Sequence, residues 1–140
     1  MSAKGKQSNK DKHSRNGKTD VHQGDVLLVH FGNERKGSRN LCGNRPVYVM
    51  SSDDSMKTDN VLLVIPLFRS QSRDTVSKDV EIRTIDCRGL RYPEYAQVMN
   101  MQKISRHQVI KKIGRVKSES VHKELLSAMW GQVGEQDEKY

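Results

Sequence analysis

The sequence predicts a mainly β fold, a small barrel or sandwich, carrying one C-terminal α-helix. Three observations point there. Short runs rich in Val, Ile and Leu recur at 25–31, 47–51, 61–68, 80–85, 96–102 and 113–116, separated by polar loops. No βαβ alternation joins them, which argues against a parallel α/β sheet. Beyond residue 117 the spacing changes: Val121, Leu125 and Met129 recur at four-residue intervals, with Ser118 as N-cap and Glu119 in the first turn. That helix is expected to pack on the sheet and stop near Gly131.

The first run opens on Gly24-Asp25-Val26. A loop over 32–44 follows, long for a hairpin connection and containing Asn33, Arg35, Lys36, Arg39 and Asn40. These groups suit contact with phosphates or base edges, and a plain surface excursion is the alternative. The loop closes on Gly43-Asn44-Arg45-Pro46, so the second run begins with an arginine. Pro46 fixes the chain direction just after it and presents the guanidinium from a held position, as a phosphate clamp requires. Asp53-Asp54 reads as turn chemistry. The run Val61-Leu62-Leu63-Val64-Ile65-Pro66-Leu67-Phe68 reads as a buried strand, and the loop over 69–78 after it offers Arg69, Ser70, Ser72 and Arg73. In the segment 87–95, Tyr92 and Tyr95 interleave with Arg88 and Arg91, a mixture suited to stacking on unpaired bases while contacting the backbone. Tyr92 can equally cap the barrel beside Pro93 or belong to a subunit interface.

With 140 residues, 34% hydrophobic and 30% charged, the chain has room for one domain of roughly 110 residues plus polar ends. The boundaries expected are a basic disordered arm at 1–22, a domain at 23–134 and a polar tail at 135–140. The arm holds six basic residues against two acidic ones and no large apolar residue between Met1 and Val21. It is either an electrostatic arm for RNA or a solubilising tail. A net charge of +8 favours an anionic partner, nucleic acid before an acidic protein or a membrane surface. The longest apolar run falls far short of the ~20 residues that span a bilayer, so a soluble, cytoplasmic protein is expected, with no membrane partner. Cys42 and Cys87 lack metal-ligand spacing and are expected as free thiols. The five histidines are scattered and no acidic cluster suits a two-metal nuclease, so neither metal nor cofactor is expected.

Four motifs in order, Gly24-Asp25-Val26, Gly43-Asn44-Arg45-Pro46, the 61–67 run and the ending Ile110-Lys111-Lys112-Ile113-Gly114-Arg115-Val116, resemble the MazF/PemK toxin endoribonucleases over residues 23–134. The resemblance implies an SH3-like, MazF/CcdB-like small barrel, a homodimer with its RNA groove along the interface, and a cognate antitoxin whose acidic segment occupies that groove. It makes Arg45 the catalytic arginine. Family members place a Thr or Ser directly after the 61–67 run, but here Phe68 and Arg69 follow. Ser70 is the nearest hydroxyl and reaches the family's position if the strand ends a little later or bulges at Phe68; Ser72 or Arg69 are the substitutes.

The function expected is sequence-selective, metal-independent cleavage of single-stranded RNA (mRNA), in which the 2′-hydroxyl is the nucleophile. Arg45 and Ser70 carry the chemistry. Asp25, Arg35, Arg39, Asn44, Arg69, Arg73 and Tyr92 bind substrate. Two readings from other classes stay open: a noncatalytic nucleic-acid-binding module of the same fold, and an interaction domain for an acidic protein.

Overall fold

The computed structural model describes residues 20–32, 41–71 and 79–133. Strands β1 (Asp25–His30), β2 (Asn44–Val49), β3 (Val61–Phe68), β4 (Asp79–Ile82), β5 (Glu94–Gln97), β6 (Gln102–Ser105) and β7 (Val109–Arg115) form one antiparallel sheet. A short helix α1 (Asp53–Thr58) joins β2 to β3, and helix α2 (Glu119–Val133) ends the fold. The path across the sheet is β4-β5-β3-β2-β1-β7, with β6 added to β3.

β3 is the central strand. One side pairs with β2 (Val47↔Pro66, Val49↔Val64); on the other, β6 takes its first half (Val61↔Ser105) and β5 its end (Leu67↔Ala96, Phe68↔Tyr95). A 3-10 turn, Val98–Asn100, separates β5 from β6 and leaves no ladder partner opposite Ile65 and Pro66. This gap is what lets a proline stand in a central strand. The Leu63 carbonyl accepts from Met50 N on the β2 side, so by alternation Pro66 turns its missing donor toward the gap.

The sheet is buried on both faces, which accounts for the unbroken apolar run of β3. Val26, Tyr48, Ile65, Leu67, Ile82 and Ala96 pack with Val121 and Leu125 of α2. Leu27, Val29, Val47, Val49, Leu62 and Val64 fill the other face with Ile104 and with Met56 of α1. The buried Tyr48 hydroxyl meets His122 Nδ1 at 2.6 Å, tying sheet to helix; burial pushes the phenol up to about 12, so it stays neutral. As expected, Ser118 Oγ caps α2 by accepting from Val121 N. The sheet is an open barrel whose ends meet where Cys87 bridges Val116. Two glycines permit that approach: a Cβ on Gly114 would collide with the Arg88 carbonyl, and one on Gly89, at φ +108°, with the Ile113 carbonyl.

Several local expectations change. Asp53-Asp54 is the first turn of α1, where Ser52 caps the helix, Asp53 accepts from Gln23 N and Asp54 pairs with Lys57. The single run at 96–102 divides into β5, a 3-10 turn and β6, and β7 begins at Val109 rather than 113. Val21 is buried and His22 N donates to Asp25, so the folded unit takes in residues assigned to the arm. Both cysteines are free. The remaining arm and tail positions, 1–19 and 134–140, lie outside the described residues.

Gly114→Ala should destabilise the protein by about 1–3 kcal/mol, because the Arg88 backbone must move. Gly131→Ala, on α2 with open space around it, should stabilise by about 0.5–1 kcal/mol. Urea denaturation of the two variants checks both signs.

Candidate active site

Arg45 owes its position to the residue after it. The register that pairs Val47 with Pro66 sets Pro46 opposite Leu67. In that hydrogen-bonding row Pro46 has no N–H to give the Leu67 carbonyl. Arg45 Nη1 donates to it instead, at 3.2 Å. The guanidinium also lies over the Phe68 ring, 4.3 Å from its centroid. The loop base is pinned just before it by Phe31 N→Gly43 O and Gly43 N→Gly32 O at 2.8 and 2.6 Å. Arg45 Nε is enclosed and has no partner among the described residues. A cation is thus fixed on the end of a rigid strand with most of its donors unspent.

A second cation follows just after β3. Arg69 lies over the Tyr92 ring at 3.7 Å from the centroid, and Tyr92 itself is half exposed. One register step beyond Phe68↔Tyr95 brings Arg69 level with Glu94, the first residue of β5. Glu94 is only 7% exposed. Burial pushes its carboxyl above the usual range, opposed by the charges of Arg69 and Arg45. Glu94 and Tyr92 line an open cavity of about 370 Å³ with Pro46, Arg91, Lys111 and Lys112. The cavity combines positive charge, an aromatic face and one carboxylate, a set suited to holding a phosphodiester beside a base.

The other expected site residues are placed unevenly. Asn44 is exposed, and its Oδ1 meets His30 Nδ1 at 2.8 Å. β3 runs through Phe68 without a register shift, so the bulge that would carry Ser70 into the Phe68 position is absent. Ser70 sits exposed in the bend beyond. Asp25 is fully buried at the far end of β1 from the Arg45 partner Val29. It accepts from His22 N and holds Arg115 Nε at 3.0 Å and Lys112 Nζ at 3.2 Å. With its oxygens so engaged, Asp25 braces β1 against β7. Arg35, Arg39, Ser72 and Arg73 lie outside the described residues.

The sequence over residues 22–128 matches the model of the PemK-like, MazF-like toxins of type II toxin-antitoxin systems. The chain belongs to this family. Its fold agrees. The Mycobacterium tuberculosis toxin MazF-mt6 superposes with a TM-score of 0.60 at 17% identity, over 76% of this chain and 93% of that one. MazF from Deinococcus radiodurans gives 0.65 at 12%, over 81% and 96%. An endoribonuclease in complex with its cognate antitoxin from a mycobacterial species gives 0.62 at 14%, over 81% and 93%. No curated protein sequence matches the chain. Among the described residues, no group of three or more His, Cys, Asp or Glu is arranged to hold a metal ion, and no helix is long and apolar enough to cross a membrane.

Sequence reasoning missed Glu94. Its signal was the alternation Glu94, Tyr95, Ala96, Gln97, which sets Glu94 on the inward face with Ala96.

Asp25→Asn should cost about 2–3 kcal/mol of stability, because two charge-assisted bonds at a buried carboxylate are weakened. RNA affinity of the folded variant should be unchanged. Denaturation and filter binding on the same preparation measure the two separately.

Proposed function

We propose that this MazF/PemK-family toxin is a sequence-selective endoribonuclease that cuts single-stranded mRNA in the cytoplasm without a metal ion. The observation that carries the reading is Arg45, fixed by the Leu67 carbonyl beside a basic, aromatic cavity. RNA supplies its own nucleophile: the 2′-oxygen attacks phosphorus, the bond to the 5′-oxygen breaks, and a cyclic phosphate and a 5′-hydroxyl result. Arg45 stabilises the charge that grows on the phosphorane oxygens, through a planar fork of donors. Arg69 and Ser70 hold a flanking phosphate, Tyr92 stacks on a base, and Asn44 contacts the strand as it enters. Arg35, Arg39 and Arg73 are further phosphate-binding candidates. A homodimer and an acidic antitoxin segment laid across the same basic surface complete the proposal. That one similar fold is an endoribonuclease in complex with its cognate antitoxin supports the partner's class.

One observation favours a second reading. Phe68, whose ring lies under Arg45, directly follows the 61–67 run, where the resemblance implies a Thr or Ser; its presence there suits a noncatalytic RNA-binding module that kept its barrel.

The test is a long single-stranded RNA incubated with the purified protein in EDTA. Cleavage should persist, stop at a 2′-deoxy scissile nucleotide, and leave cyclic or 3′-phosphate ends. Arg45→Ala should lower the rate on the order of a hundredfold or more with the fold intact, and Arg45→Lys should rescue it poorly. Binding without cleavage would establish the second reading instead.

A further inference from the structure

We propose that Glu94 is a catalytic residue of this site, the carboxylate that takes the proton from the attacking 2′-hydroxyl. The inference rests on the endoribonuclease reading and deepens it. Cleavage needs a group to receive that proton, and directly after the 61–67 run, where the resemblance implies a Thr or Ser, stands Phe68 with its ring under Arg45. Glu94 is the only carboxylate lining the cavity among the described residues. It forms no hydrogen bond or ion pair within 4 Å to another described residue, so its oxygens are uncommitted, unlike those of Asp25.

Its surroundings suit a base. From β2 and the end of β3, Arg45 and Arg69 bias it toward the carboxylate form. Arg91, Tyr92, Lys111 and Lys112 line the same cavity, and from β4 its direct partner is the apolar Ile82. Burial works against the cations and strengthens the carboxylate as a base. In the reaction the 2′-O–H bond breaks and its proton passes to Glu94. The 2′-O–P bond forms as the P–O5′ bond breaks, and the departing 5′-oxygen takes a proton from water. Glu94 returns its proton to solvent through the open cavity.

The same burial distinguishes a catalytic from a structural role. A carboxyl with a raised folded-state pKa binds its proton more tightly folded than unfolded. Its stability contribution is therefore highest at low pH and is lost as pH rises from about 4.3, the unfolded value, through the folded value. At neutral pH the ionised Glu94 weakens the fold. Glu94→Gln keeps the shape and removes the charge, so its melting temperature at pH 7.5 should equal or exceed that of the wild type.

The experiment measures kcat, KM and melting temperature for the wild type and Glu94→Gln on one single-stranded RNA, in EDTA, from pH 4 to 9. Glu94→Gln should lower kcat on the order of a hundredfold, leave KM within about twofold, and lose the acidic limb of the rate profile without losing stability. Glu94→Asp should recover part of the rate and restore the limb. If Glu94→Gln keeps the wild-type rate and limb, Glu94 is not the base, while the endoribonuclease reading stands. A fall in kcat that keeps the limb and lowers the melting temperature assigns Glu94 to the scaffold and overturns the proposal. If the wild type binds RNA and cuts none, this proposal and the reading beneath it fall together.

Discussion

A carbonyl without a backbone donor organises this molecule. Pro46 faces Leu67 in a hydrogen-bonding row and has nothing to donate. Left unpaired in so well buried a sheet, the Leu67 carbonyl would cost about 1–3 kcal/mol, and the Arg45 side chain meets it. The bond does two things at once. It repairs the ladder where β2 enters the sheet, and it anchors a cation whose flexible stem would otherwise sweep through solvent. The Phe68 ring supports the same guanidinium from β3. Arg45-Pro46 thus acts as a unit, the proline creating the vacancy that the arginine fills.

The charges that line the cavity beside Pro46, or stand next to it, do not form a uniform patch. Lys111 and Lys112 come from β7, Arg91 and Tyr92 from the segment before β5, and Arg69 from the end of β3. Glu94 stands among them, buried and with no hydrogen bond or ion pair to another described residue. An isolated acid held in that way is unfavourable for folding and useful for proton transfer, a combination found where stability has yielded to chemistry. Asp25 is the contrast: another carboxylate, more deeply buried, but engaged by Arg115, Lys112 and the His22 N–H. Both carboxylates lie beside cations, and only the one with free oxygens has chemistry to offer.

Much of the fold was legible because its signals were local. The Val61–Phe68 run, the helical spacing of Val121 and Leu125, and the Ser118 cap each report their own conformation, and the structure agrees with all three. Features set by distant contacts were not legible. The split of 96–102 into two strands depends on which stretch of β3 each half pairs with. The enclosure of Asp25 and its bracing of β1 against β7 depend on Arg115, ninety residues away, and on Lys112. Arg45 was visible through Gly43-Asn44-Arg45-Pro46, although its anchor on Leu67 was not. Ser70 needs a later strand end or a bulge at Phe68 to take the family's place, but β3 ends at Phe68 and the Phe68↔Tyr95 pairing keeps it regular.

The most direct test of this account is the cleavage rate of Pro46→Ala. Alanine restores an N–H opposite Leu67, so the carbonyl no longer needs the guanidinium. The account predicts a fold at least as stable as the wild type and cleavage slowed on the order of tenfold or more, although Arg45 itself is untouched, because the arginine has lost its anchor. Wild-type cleavage by Pro46→Ala would contradict it, showing that Arg45 is positioned by something other than the bond to Leu67.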